Sequence, residues 1–284
     1  IGIEMATIFL NLGVNVTILE LLPDILLTED LEVRKTMRRS LKNSRAKLHL
    51  EAKTKDVRLV GKRVVLAFED AKGTDQTIEA DRLLVATGRS PVLDGIDTQA
   101  LGLQTEGPFV KVDKHMRTNL TNVYAIGDLI GGMMLAHKAS AEAEAAVDVI
   151  LGGKKEIKPE FIPRCIWGLA EIGAVGLSEE EARATGRRIK IGKFPYGASG
   201  AAQAMGNIAG FTKIIADSDN GEILGVHIMG EHATDLIGYA VTTMTMESAV
   251  EDLAGAIQAH PTLGETLMEA AMDWSGQAIH LPKR

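Results

Sequence analysis

Ile1-Gly2-Ile3-Glu4-Met5-Ala6-Thr7-Ile8-Phe9-Leu10, then Gly13, then Val14-Asn15-Val16-Thr17-Ile18-Leu19-Glu20: how this stretch is read decides the fold. The first ten residues read as a helix already under way, with no initiator Met, cap or preceding strand, so the chain is expected to begin inside a domain. Gly13 suits a left-handed C-cap, and Val14 to Glu20 runs apolar like a buried strand. Helix followed by buried strand is the αβ half of a βαβ unit. Gly2 then reads as the last glycine of a G-x-G-x-x-G dinucleotide fingerprint, packing the helix on its strand. Glu20, 18 residues further on at the strand end, is placed to accept hydrogen bonds from ribose hydroxyls. The competing reading is an ordinary helix glycine and a solvated strand-end Glu.

A polar helix is predicted from about Asp30 to Ser44. Strands follow at Lys47 to Ala52, around a hairpin turning at Gly61-Lys62, at Gln76 to Ile78 and along the apolar run Asp81 to Gly88. This first segment, residues 1–90, reads as a small doubly wound α/β domain. Residues 91–155 form a second segment: a turn-rich crossing, a buried strand Asn122-Val123-Tyr124-Ala125-Ile126-Gly127-Asp128, and an Ala-rich helix from Leu135 to Leu151. After Gly152-Gly153-Lys154-Lys155 the texture changes. Residues 156–284 read as an α+β unit with strands at 162–167, 172–175, 189–194, 211–217 and 223–229. A short helix opens at the capping box Ser178-Glu179-Glu180-Glu181 and stops at Gly186, and two closing helices lie near 234–246 and 262–272.

Composition narrows the function. The chain has 284 residues with 31 basic and 38 acidic side chains, a net charge of −7, and 45% hydrophobic residues, enough for a sizeable core. It has no apolar run of bilayer length and no basic face interleaved with aromatics, so neither a membrane nor a nucleic acid is an expected partner. One cysteine, Cys165, excludes an intrachain disulfide, and its apolar strand setting reads as a small buried hydrophobe. The methionines near 242–248 read as core or subunit interface. His137, His227, His232 and His280 lack metal-ligand spacing, and no metal is expected.

Two further constellations carry chemistry. Asp128, at the tip of its predicted strand beside Gly127, suits the hydroxyl chain of a sugar-like ligand, or else simply ends the strand. His260-Pro261-Thr262-Leu263-Gly264-Glu265 sets a His five residues before a carboxylate. Such a pair orients the ring as a positioned acid/base, but Thr262-x-x-Glu265 is equally a capping box.

Four ordered segments resemble the pyridine nucleotide-disulfide oxidoreductases, class I, over the whole chain. They are Ile1 to Ala6, Ala86-Thr87-Gly88-Arg89, Tyr124 to Asp128 continuing into Met134-Leu135-Ala136-His137-Lys138-Ala139, and His260 to Glu265. The resemblance implies a Rossmann-like NAD-binding domain at 1–90, a returning segment of the FAD domain at 91–155 and a C-terminal α+β dimerisation domain at 156–284. It implies that Gly2 and Glu20 bind NAD, that Glu4 lies by the nicotinamide and that Gly88 closes the nucleotide domain. Asp128 would hold the ribityl or phosphate region of FAD, with Met134, Leu135, Ala136 and His137 near the flavin ring. His260, oriented by Glu265, would be the acid/base for a reactive dithiol across a homodimer interface.

Glu20 favours the NAD-linked branch that oxidises dihydrolipoyl groups, whose partners are lipoyl domains of a 2-oxo acid dehydrogenase or related complex. The tail Ile279 to Arg284 lacks the paired cysteines of mercuric reductase. The stretch Arg164 to Glu171 departs from the commoner tyrosine-and-proline version, and Gly264 replaces the usual Ser or Thr. The N-terminal FAD domain with its Cys-x4-Cys pair is expected to lie outside this chain, which alone would be inactive and bind FAD poorly. A cytoplasmic setting is expected. The rivals are a glutathione- or mercuric-reductase-like enzyme and a non-catalytic nucleotide-binding or dimerisation module.

Overall fold

The computed structural model describes residues 1–282; Lys283 and Arg284, at the end of the third segment, lie outside the described residues. Contacts within the chain gather residues 1–86 and 163–284 into one compact unit and residues 87–162 into a second. The first and last of the three segments marked in the sequence thus share one unit.

In the larger unit, α1 (Gly2–Asn11) is followed by Gly13 at φ 79°, whose amide and that of Val14 return to the Leu10 and Phe9 carbonyls. β1 (Thr17–Leu19) then pairs in parallel with β2 (Lys47–His49) across α2 (Leu31–Asn43), which gives the expected βαβ geometry. The buried Asp30 side chain caps α2 by accepting from the Glu32 amide at 2.9 Å. β3 (Lys53–Val60), β4 (Arg63–Glu69) and β5 (Asp75–Ala80) form an antiparallel meander, turned by Gly61-Lys62 as the sequence predicts.

The C-terminal part of the same unit is a five-stranded antiparallel sheet in the order β10 (Ile189–Pro195), β11 (Phe211–Asp217), β12 (Ile223–Met229), β9 (Glu171–Gly176), β8 (Arg164–Trp167). α4 (Glu179–Ala184) carries the expected capping box: Ser178 and Glu181 satisfy each other's backbone amides. α5 (Gly200–Met205) and α7 (Val250–Gly255) are short helices that periodicity did not reveal. α6 (Ala233–Thr245) packs on β9 and β12, and α8 (Glu265–Ser275) on β10 and β11. α8 comes close because Gly192 faces it: a Cβ there would lie 2.0 Å from the Ala270 carbonyl oxygen. One core joins the two parts, with Ile3, Val33, Met37 and Leu41 packed on Ile172, Phe211 and Met229.

The smaller unit holds the hairpin β6 (Thr105–Glu106) and β7 (Phe109–Val110), a 3-10 turn at Gly127–Ile130, and α3 (Ala136–Ile150). Two predicted strands are corrected. Residues 81–88 form no ladder, and Leu83, Leu84 and Val85 are exposed. Residues 122–128 form only a single bridge, Tyr124 to Arg117, before the 3-10 turn. An apolar run becomes a strand only where neighbours supply hydrogen bonds on its edges, and no described strand does so at either place.

Candidate active site

α8 starts at Glu265, and the chain entering it presents His260 at a cis His260–Pro261 bond. His260 Nδ1 lies 2.8 Å from Glu265 Oε1, while Glu265 Oε2 accepts from the Thr262 amide at 2.9 Å. The carboxylate thus holds the ring with one oxygen and the Thr262 amide with the other, but the expected capping box is not formed: the Thr262 hydroxyl donates to the Ala259 carbonyl, and α8 starts after Gly264 without a side-chain cap. Partial burial pushes the Glu265 carboxyl up, but the Thr262 amide and the His260 ring outweigh it and hold the group below the usual carboxylate range. The carboxylate can only accept, so Nδ1–H donates and the ring lone pair sits on Nε2. The His260 side chain is 73% exposed, whereas the acid is only 18% exposed.

The nucleotide-side residues are dispersed within the same unit. Gly2 opens α1 against Ala86, where a Cβ would make an ordinary 3.6 Å contact. Glu4 Oε1 accepts from the Trp167 amide at 3.2 Å, tying α1 to the end of β8. Glu20 follows β1, its backbone continuing the ladder to His49, and its Oε1 accepts from the Leu22 amide at 2.9 Å.

In the smaller unit, Asp128 sits in the 3-10 turn and pairs with Arg89 at 3.2 Å, both half exposed. Arg89 also donates to the Met134 carbonyl, which fixes the turn against the entry to α3. Leu135 is the N-cap residue of α3, and Ala136 and His137 open its first turn on the exposed side. Gly127 stands at φ 73°, a conformation that favours glycine, and its amide donates to Glu142 at 2.8 Å. Glu142 is buried with Lys138 at 2.6 Å, and Lys138 reaches the Gly131 carbonyl. Gly88, at φ 121°, borders open space.

Sequence reasoning missed Arg89, Lys138 and Glu142 as supports of Asp128. The i,i+4 Lys138–Glu142 spacing was the available signal. Cys165 is half buried, its thiol near the Thr234 carbonyl; burial, then Glu171, Glu29 and Asp235, push it up and away from reactivity. Among the described residues no group of three His, Cys, Asp or Glu side chains could hold a metal, and no helix is long and apolar enough to cross a membrane.

Comparison with known proteins adds family context. Residues 1–143 match the model of pyridine nucleotide-disulphide oxidoreductases, and residues 162–271 match the dimerisation domain of the same enzymes. The chain is 38% identical over 283 residues to dihydrolipoyl dehydrogenase 2, mitochondrial, of Arabidopsis thaliana, covering 99% of this chain and 56% of the relative. It is 40% identical over 273 residues to dihydrolipoyl dehydrogenase of Chlorobaculum parvum, covering 95% and 58%. LpdA of Mycobacterium tuberculosis superposes with a TM-score of 0.88 at 25% identity, over 95% of this chain and 58% of that one. The Cu(II) complex of the HOCl-induced flavoprotein disulfide reductase RclA of Escherichia coli gives 0.87 at 25% identity, over 95% and 60%. The chain thus spans a little over half the length of these relatives. Two models of one family, matched in order along a single chain whose fold they share, leave one conclusion: the chain belongs to the pyridine nucleotide-disulphide oxidoreductases.

Proposed function

We propose that this chain is the NAD-binding and acid/base portion of a flavin-dependent enzyme that oxidises dihydrolipoyl dithiols. The observation that carries the reading is the His260–Glu265 pair, with Nδ1 held at 2.8 Å and the opposite edge of an exposed ring left accessible. An imidazole fixed in that tautomer takes a thiol proton at Nε2 and returns it at the same atom, while Glu265 stabilises the charged ring. FAD and NAD, when bound, would supply the electron and hydride transfers.

The residues present suit both groups. Glu20 at the end of β1 uses one carboxylate oxygen on Leu22, and the other suits a ribose hydroxyl. Gly2 and Glu4, both on α1, are assigned to NAD in the same reading, and Gly88 to the end of the nucleotide domain. The half-exposed Asp128, on a turn braced by the Lys138–Glu142 pair, suits the polyol of FAD, with Met134 to His137 alongside. The homodimer, the lipoyl-domain partners, the cytoplasmic setting and the three-segment division are part of the same proposal.

A second reading, reduction of a different disulfide, draws on the likeness to RclA and on the unusual stretch Arg164 to Glu171. The test joins the chain to the flavin- and disulfide-bearing portion of a relative and measures NAD-linked oxidation of dihydrolipoamide. His260→Gln should lower turnover by about two to four orders of magnitude while NADH binding is unchanged. Undiminished turnover would overturn the acid/base role, and turnover with other dithiols alone would favour the second reading.

A further inference from the structure

α8 carries a second carboxylate one turn beyond Glu265. Glu269 is 1% exposed, and everything that satisfies it comes from the last described residues. Its Oε2 accepts from the Ile279 amide at 3.0 Å and the His280 amide at 3.3 Å, and its Oε1 lies 2.7 Å from His280 Nδ1. A carboxylate this buried is costly unless fully hydrogen-bonded, so the docking of residues 279–280 and the ionised state of Glu269 support each other. Residues four apart on a helix share a face, with roughly 5–6 Å between their Cβ atoms. Glu265 and Glu269 therefore stand side by side, each bound to the Nδ1 of an imidazole from outside the helix. Both rings are more exposed than their acids, 73% for His260 and 59% for His280.

We propose that Glu269 and His280 form a second imidazole–carboxylate dyad on the face of α8 that carries Glu265, so that the charge on His280 acts on the His260–Glu265 pair and protonation of one ring opposes protonation of the other. The idea rests on the acid/base reading of His260. His280 acts on that pair through its charge and is not a catalytic residue. The charge on His280 reaches Glu265 and helps to hold that carboxyl low, after burial, the Thr262 amide and His260 itself.

The other charged groups on elements packed against α8 are engaged elsewhere. On β10, Lys190 lies over the Trp274 ring and Lys193 pairs with Glu32. On β11, Lys213 pairs with Asp30 and Glu179, and Asp217 with Arg187. On α7, Asp252 accepts from the Ala249 amide and Glu251 lies against Gly221. On α8 itself, Asp273 accepts from the Lys193 amide.

The experiment uses this chain, labelled with 15N, and follows each imidazole by long-range proton–nitrogen correlation as a function of pH. In His280→Gln the His260 midpoint should rise by about half a pH unit, because a neighbouring cation no longer opposes its protonation. His280→Lys, which keeps a positive charge there, should bring it back toward the parent value. A tail that merely packs would lower thermal stability and leave the His260 curve in place. Superimposable His260 curves in the parent and His280→Gln would overturn the proposal. Glu265→Gln separates the two failures: if it shifts His260 and His280→Gln does not, only the coupled dyad falls, and if neither shifts it, the acid/base reading falls as well.

Discussion

β11 and the segment 81–88 are both apolar runs of similar length, yet they meet opposite fates. All seven residues of β11 are buried between β10 and β12, including Thr212, Lys213 and Asp217, whereas Leu83, Leu84 and Val85 are 44%, 49% and 72% exposed on backbone that pairs with nothing described. Hydrophobicity does not separate them, since β11 carries a lysine and an aspartate. What separates them is the ladder on each side, and for Lys213 a set of acids that repay its desolvation: Asp30 at 3.0 Å and Glu179 at 2.7 Å.

The largest expected effect breaks that set. Lys213→Met leaves the buried Asp30 facing Glu179 without a cation and should cost about 3–5 kcal/mol in urea unfolding. Val85→Ser, at the exposed run, should stay within about 0.5 kcal/mol. Equal losses would mean that the two runs are packed alike. A smaller effect sharpens the contrast inside the sheet, where His227 of β12 pairs with Lys213 across the ladder. His227 donates from Nε2 to the Leu177 carbonyl at 2.9 Å, and its Nδ1 is buried with no partner. Burial holds the ring below the ordinary histidine range; Arg164 acts with it, while the Leu177 contact, Asp30 and Glu29 pull the other way.

The unfolded chain thus takes up a proton that the folded core refuses, so stability from neutral His227 is present above about pH 6.5 and falls as pH drops below it. Between pH 6.5 and 5.5 the parent should lose roughly 1 kcal/mol more than His227→Gln. The acids held low, Asp30, Glu179 and Glu265, begin to contribute only near pH 4.5 and below, where their protonation removes stability. Parallel pH curves for parent and variant would show that the buried ring plays no part.

The same contrast explains what the sequence could say. β11 and β12 were legible to the residue, since each run is apolar, of strand length and bounded by Gly210, Asn220-Gly221 and Gly230. α2 and α4 were legible because Asp30 and Ser178 mark their starts. Residues 81–88 and 122–128 were misread because strand pairing is a property of neighbours, which composition does not carry. At the site, His260 and Glu265 were found because they are five residues apart. Arg89 meeting Asp128, and His280 meeting Glu269, join positions too distant for any local pattern.

The 2.8 Å contact between His260 Nδ1 and Glu265 Oε1 calls for the ring proton on Nδ1 and the lone pair on Nε2. The most direct test is the nitrogen-15 spectrum of the neutral His260 ring in the parent chain and in Glu265→Gln. A predominantly Nδ1–H tautomer is expected in the parent, with that preference lost in the variant. A ring that is mainly Nε2–H in the parent, or unchanged by the substitution, would contradict it.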